Sequence, residues 1–249
     1  MRGFFPVWKR ELFSLFVTPL AWVVIVSFLV LQGLHFGFIL LSHFANQGDM
    51  SSDQGPVQAF FGQTVFLYFP LVVFCPALTM RAFSEERQRG TIEALLTAPV
   101  STAAVVVAKW AAAMVAYAAM WAPTLLYMVV IRKTGAIDWQ VVGTGYLGIA
   151  LVGASWLAIG TLASAMTQSV LLALVLGAGV TLSLFMIGVG EMILPEGALR
   201  DVCGYVSVWT QMDEMSRGIV DSRRVLFDLS LTALPLFVTT RVVDSWRWG

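Results

Sequence analysis

Charge-free apolar runs alternate with short polar stretches along this chain. Residues 20–41, 57–80 and 110–131 contain no Asp, Glu, Lys or Arg, and neither do the 52 residues 139–190. A helix rises about 1.5 Å per residue, so a hydrocarbon core about 30 Å thick takes roughly 20 apolar residues. The longest run would reach about 78 Å as one helix. It dips in hydrophobicity at Ser164, Thr167, Gln168 and Ser169, where an uncharged turn divides it into two spans. The pattern predicts an all-α membrane protein, a single transmembrane domain over 1–249 with six transmembrane helices at about 20–41, 57–80, 101–131, 139–164, 169–190 and 225–243. The first run exceeds the core of a typical signal peptide and no A-x-A site follows it, so it is expected to be an uncleaved span.

The segments between the runs carry the remaining pattern. In 1–18, the apolar Phe4, Phe5, Val7, Trp8, Leu12, Phe13, Leu15 and Phe16 surround Lys9, Arg10, Glu11 and Ser14. This predicts an interfacial helix with its charges toward water, broken from the first span by Pro19. Residues 81–99, RAFSEERQRGTIEALLTAP, read as a charged hairpin. Ser84 is placed to cap a short helix whose first turn holds Glu85 and Glu86, Gly90 interrupts it, and Thr91 starts a second helix. There Ile92, Leu95 and Leu96 share one face while Glu93 points elsewhere. That apolar face, with Glu85, Glu86 and Glu93 beside it, suits a docking partner bearing basic residues; a solvated turn is the plainer reading. Residues 191–224 form the longest segment outside the spans, open to two readings: a surface loop, or short helices dipping back into the membrane. Residues 43–55 read as a polar exposed connection.

Composition agrees with the pattern. Hydrophobic residues make up 58% of the chain and charged residues 12%, about half the charge of a soluble domain, which excludes a soluble enzyme. Fifteen Lys and Arg balance fifteen Asp and Glu, leaving no basic field for nucleic acid. Cys75 and Cys203 are expected as free thiols, and His35 and His43 with them make no metal-ligand pattern. No metal, cofactor or catalytic residue is assigned.

Orientation follows the loop cations. With the N-terminus cytoplasmic, Arg2, Lys9, Arg10, Arg81, Arg87, Arg89, Lys109, Arg241 and Arg247 fall on the cytoplasmic side, nine of fifteen. Lys109 is counted there because a lysine near a helix end can snorkel to water. Both termini and the hairpin are therefore expected inside and 191–224 outside.

Three blocks of the chain resemble the permease subunits of type-2 ABC exporters. Lys9-Arg10-Glu11-Leu12, followed by Phe16 and Thr18-Pro19, is similar to that family's interfacial helix, within which Trp8, Lys9, Arg10, Glu11 and Phe13 are the candidate residues. Glu85-Glu86-Arg87, then Gly90-Thr91-Ile92-Glu93, Leu95-Leu96 and Pro99, resembles its coupling helix. Arg217-Gly218-Ile219-Val220-Asp221 resembles the gliding-motility-type branch, although Phe227 stands where that branch carries a tyrosine. The resemblance implies a multi-pass permease in the bacterial inner membrane that forms a dimer with itself or a related permease. It implies separate ABC ATPase subunits that bind ATP and magnesium, and leaves room for an accessory extracytoplasmic subunit.

The residues point the same way. ATP hydrolysis by the chain itself would need a G-x-x-x-x-G-K-[ST] loop, and no lysine here follows a glycine. A gradient-driven carrier would have only His35 and Asp228 as relay groups. That proton-coupled carrier and a non-transporting assembly subunit are the alternatives. Gly153, Gly160 and Ser164, beside Ala150, Ala154 and Ala158, form a small-residue stripe that serves either packing within the chain or a dimer seam.

Overall fold

The computed structural model describes residues 3–45, 55–62, 65–92, 100–134 and 137–246. The described residues form α-helices and one 3-10 turn, with no strand. Six of their helical stretches are long and apolar enough to cross a membrane, so the all-α membrane architecture stands.

Helix α1 (Phe4–Val17) ends where Thr18 turns extended, and α2 (Pro19–Ala45) starts with Pro19 in its first turn, where a missing N–H costs nothing. Trp22 Nε1 donates to Phe16 O at 2.8 Å and fixes this corner. The second apolar run holds α3 (Pro56–Phe61) and α4 (Val65–Thr79). The third holds α6 (Thr102–Trp121), a 3-10 turn over Ala122–Thr124 at Pro123, and α7 (Leu125–Thr134); the short α5 (Ser84–Gln88) lies before it. The 52-residue run divides into α8 (Trp139–Met166) and α9 (Val170–Ile193). Two nine-residue helices, α10 (Ala198–Val206) and α11 (Val208–Ser216), precede α12 (Ser222–Ser245). Side chains of Ser101, Asp138, Ser169, Ser207 and Asp221 cap α6, α8, α9, α11 and α12 by accepting backbone N–H groups.

Helix α8 is the axis of the molecule, packed against α12, α9, α4, α11 and α6. Its small residues allow this. A side chain at Gly153 would overlap the Tyr117 ring, and one at Gly160 would lie 2.1 Å from Thr79 Oγ1. Of the two roles open to the stripe, its glycines thus serve packing inside the chain.

Two prolines lie inside α4, and each leaves the carbonyl four residues earlier without its helical donor. Buried Gln32 of α2 donates its Nε2 to Phe66 O at 3.2 Å, the carbonyl that Pro70 orphans. The hydroxyl of buried Thr181 in α9 lies 3.1 Å from Val72 O, the carbonyl that Pro76 orphans, and 3.0 Å from Gly177 O on its own helix. An unsatisfied carbonyl in hydrocarbon costs several kcal/mol, which accounts for polar side chains this deep. His35 belongs to the same arrangement: its Nδ1 lies 3.3 Å from Gln32 Oε1, and its ring stacks on Phe60.

Of the two readings for 191–224, the structure has short helices packed back onto the spans. Val208, Gln211, Met212 and Met215 of α11 are buried against α8 and α3, and Thr144 donates to Met215 O at 2.7 Å. Gln211 Nε2 donates to Asp228 Oδ2 at 2.5 Å, and Arg224 pairs with Glu214 at 2.8 Å, tying α11 to α12. His35 and Asp228, the only relay candidates, are thus both bonded to glutamines. Cys75 and Cys203 are free, and no cluster of metal-ligating side chains occurs among the described residues.

Candidate functional site: the hairpin after the second span

The chain leaves α4 at Thr79 and enters α5, which is one turn and a half long. Ser84 does not cap it. Phe83 holds the cap position, Ser84 is the first helical residue, and its hydroxyl donates back to Met80 O. The cap comes from Ser164, at the far end of α8: its Oγ accepts from Phe83 N at 3.0 Å and Ser84 N at 3.1 Å while donating to Met80 O at 2.8 Å. A helix this short has no room to satisfy its own N-terminal donors, so a neighbouring hydroxyl does so.

Helix α5 ends at Gly90, whose φ is +69°. Thr91 N donates to Glu86 O and Gly90 N to Arg87 O, the paired bonds of a Schellman ending, which needs a left-handed residue at this point.

Four charged side chains meet beneath the hairpin. Lys109, two turns into α6, is 3% exposed. Its Nζ lies 3.0 Å from Glu11 Oε1 on α1 and 3.1 Å from Glu86 Oε2 on α5, and 5.1 Å from the centre of the Phe83 ring. Arg10 closes the cluster with Nη2 at 2.7 Å from Glu11 and 2.8 Å from Glu86. Burial opposes ionisation of Glu11, yet the Lys109 charge and the hydrogen bonds from Arg10 and Lys109 outweigh it and hold the carboxyl below its ordinary value of 4.5. The hydrogen bond to Glu11 raises Arg10 in turn, against the cost of its own desolvation.

Three sequence-based expectations change here. Lys109 does not snorkel to water but is enclosed by carboxylates. The charges of α1 do not all face water, since Glu11 turns inward while Phe5 and Phe13 are exposed. Glu86 has partners within the chain and is not free for an outside one.

The other candidates divide in the same way. Glu85 pairs with Arg89 at 2.7 Å on the surface. Arg87 donates to Ala165 O at 3.0 Å and stacks 4.6 Å over Trp246, the residue that caps the C-terminus of α12. Trp8 and Ile92 pack against the cluster of Val7, Phe83, Val105, Val106 and Ala165, so Ile92 faces its own chain. Lys9 is exposed, as are Gln88, Arg89, Gly90 and Thr91 at the hairpin tip. Glu93, Leu95, Leu96 and Pro99 lie outside the described residues. Sequence reasoning missed Ser164 and Trp246 as parts of this site. A signal for the cluster was present in Lys109, an isolated cation within helical reach of the membrane, which demands a carboxylate from another element.

The hairpin between the second and third spans is thus clamped to the amphipathic N-terminal helix and to the ends of α8 and α12. The family model described as ABC-2 family transporter protein matches residues 12–203. The chain belongs to the ABC-2 transporter family. The match runs from the second half of α1 into α10 and includes the whole hairpin. No curated protein matches the chain in sequence. Membership makes it a multi-pass permease component of an ABC transporter, a class that works with an ABC ATPase.

Proposed function

We propose that this ABC-2 permease is the membrane half of an exporter driven by separate ATPase subunits. They bind ATP and magnesium and dock under the hairpin 81–99. The permease sits in the bacterial inner membrane with both termini and the hairpin cytoplasmic, 191–224 outside, paired with a second copy or a related permease. Glu85, Gly90 and Thr91, together with Glu93, Leu95 and Leu96 of the sequence motif, are the docking residues of this reading, while Glu86, Arg87 and Ile92 join the hairpin to the spans.

The observation that carries this reading is Lys109 held between Glu11 and Glu86. A push on the hairpin reaches α1 through Arg10 and Glu86, α6 through Lys109, α8 through Ser164, and α12 through the stack of Arg87 on Trp246. Transport needs force applied at one small surface to move several helices together, and these contacts supply the linkage.

The test is recovery of the ATPase with the tagged permease in detergent. Because Glu86 is an internal group, the clean variant is Glu85→Lys with Glu93→Lys. The control reverses Asp49 and Asp53, sparing Asp138 because it caps α8. Loss of the ATPase by roughly tenfold, with unchanged permease yield, is expected if the acids meet a basic groove. Full binding and stimulation by the hairpin variant would transfer support to a non-transporting assembly subunit or a proton-coupled carrier.

A further inference from the structure

A cavity of about 270 Å³ opens between α1, the start of α2, the end of α4, the hairpin and α6. Its charges do not balance. The carboxylates on its wall are Glu11, Glu85 and Glu86; the cations are Arg10, Arg81, Arg89 and Lys109. Each carboxylate is already matched: Glu11 and Glu86 by Arg10 and Lys109, and Glu85 by Arg89. Arg81 is left over. It is half-buried, and no ion pair or hydrogen bond engages its guanidinium among the described residues.

The wall is also graded. Of its apolar residues, Leu20, Ala21, Ala77, Leu78 and Ala113 come from the spans, Leu15 from the end of α1 and Ala82 from the hairpin, while the charged residues come from α1, the hairpin and, at Lys109, the start of α6. Ala113 lies one turn deeper than Lys109 on α6. Along the span direction the lining thus passes from hydrocarbon-like to cationic within one cavity. A soluble anion has no use for the first half, and a neutral lipid has no use for the unpaired guanidinium.

We infer that this cavity binds the phosphate headgroup of an anionic phospholipid, with Arg81 as the phosphate ligand and the glycerol and first acyl carbons against Leu20, Leu78 and Ala113. A guanidinium matches two phosphate oxygens at once, and basic pockets between transmembrane helices suit such headgroups. The bound lipid would bridge α1, α4 and the hairpin, so the anionic lipid content of the membrane would tune how firmly they hold together. Binding itself requires only the membrane-spanning fold, and its test is independent of whether the protein exports anything.

The experiment is native mass spectrometry of the full-length permease, titrated with phosphatidylglycerol or phosphatidylcholine of the same chains. Phosphatidylglycerol should bind more tightly, and Arg81→Gln should reduce that preference by roughly five- to tenfold. Arg81→Lys should retain part of it, because the charge remains while the two-pronged geometry is lost. Arg81 has no partner to orphan among the described residues, so the Gln variant should fold normally, and its unchanged melting temperature in lipid-free detergent is the control. Millimolar inorganic phosphate or glycerophosphate should not displace the lipid. Equal binding of the two lipids, a preference that survives Arg81→Gln, or displacement by inorganic phosphate would each overturn the assignment.

Discussion

Lys109 Nζ sits 3.1 Å from Glu86 Oε2, joining the third span to a hairpin that begins after the second. The contact ties α5 to α6 across 23 positions of sequence. It is buried on the lysine side, where side-chain exposure is 1%, and largely buried on the glutamate side, at 19%, with Glu86 Oε2 itself enclosed. Such a pair acts as a mechanical joint more than as a source of net stability, since desolvation offsets much of the attraction.

Breaking the joint from one side is therefore predicted to be costly. Lys109→Met leaves Glu11 and Glu86 facing each other with only Arg10 between them. The expected loss is about 3 kcal/mol, the low end for an orphaned buried charge, because both glutamates keep some solvent. Thermal unfolding of the purified permease measures it. Adding Glu11→Gln to Lys109→Met should restore part of the loss, and strict additivity of the two changes would show that the residues are not coupled.

Acid should release α1 only late. The carboxyl of Glu11 is held below its ordinary value of 4.5, so its contribution is fully present above that value and disappears as pH falls through the lowered one. Hydrogen exchange of residues 4–17, corrected for the intrinsic pH dependence, should show constant protection from pH 7 to about 5 and a loss below 4.5. Loosening that is complete by pH 6 would place the controlling group elsewhere.

Ser164→Ala removes the hydroxyl that serves two backbone N–H groups and one carbonyl of the hairpin. About 1 to 3 kcal/mol is expected for each buried group left without a partner, concentrated in residues 80–84. Hydrogen exchange there should rise while α8 and α9 stay protected. Ser155→Ala is the comparison: that hydroxyl is equally buried but serves Val152 O on its own helix, so little change is expected.

The repair of α4 can be tested by restoring what Pro70 removed. Gln32→Met should cost about 2 to 3 kcal/mol, because Phe66 O, inside a span, loses its donor. In a Pro70→Ala background the helix supplies its own N–H to that carbonyl, and the same substitution should cost much less. An equal cost in both backgrounds, read from thermal unfolding, would show that Gln32 serves another purpose.

What could be read from sequence followed from periodicity and length. The charge-free runs located the apolar helices, and Gly90 marked the end of α5 because a residue without a side chain before Thr91 suits a left-handed ending. The hairpin's supports could not be read, because Ser164 and Trp246 lie 80 and more residues away and their residue types are unremarkable at span ends. The inward turn of Glu11 was hidden for a related reason. On an isolated amphipathic helix a glutamate belongs with water, and only the arrival of Lys109 from another element reverses that preference. Likewise Gln32 is an ordinary polar interruption of a span until Pro70, 38 positions later, is seen to leave a carbonyl beside it.

The central claim, that the hairpin is where an ATPase drives this permease, is tested most directly by a photoreactive side chain at Gln88 in intact cells, with one at Ser222 for comparison. Both positions are exposed, one at the hairpin tip and the other at the start of α12. An adduct between position 88 and a cytoplasmic ATPase, weakened by Lys109→Met and absent from position 222, is the predicted result. An ATPase adduct from position 222, or none from position 88 while the ATPase still copurifies, would contradict it.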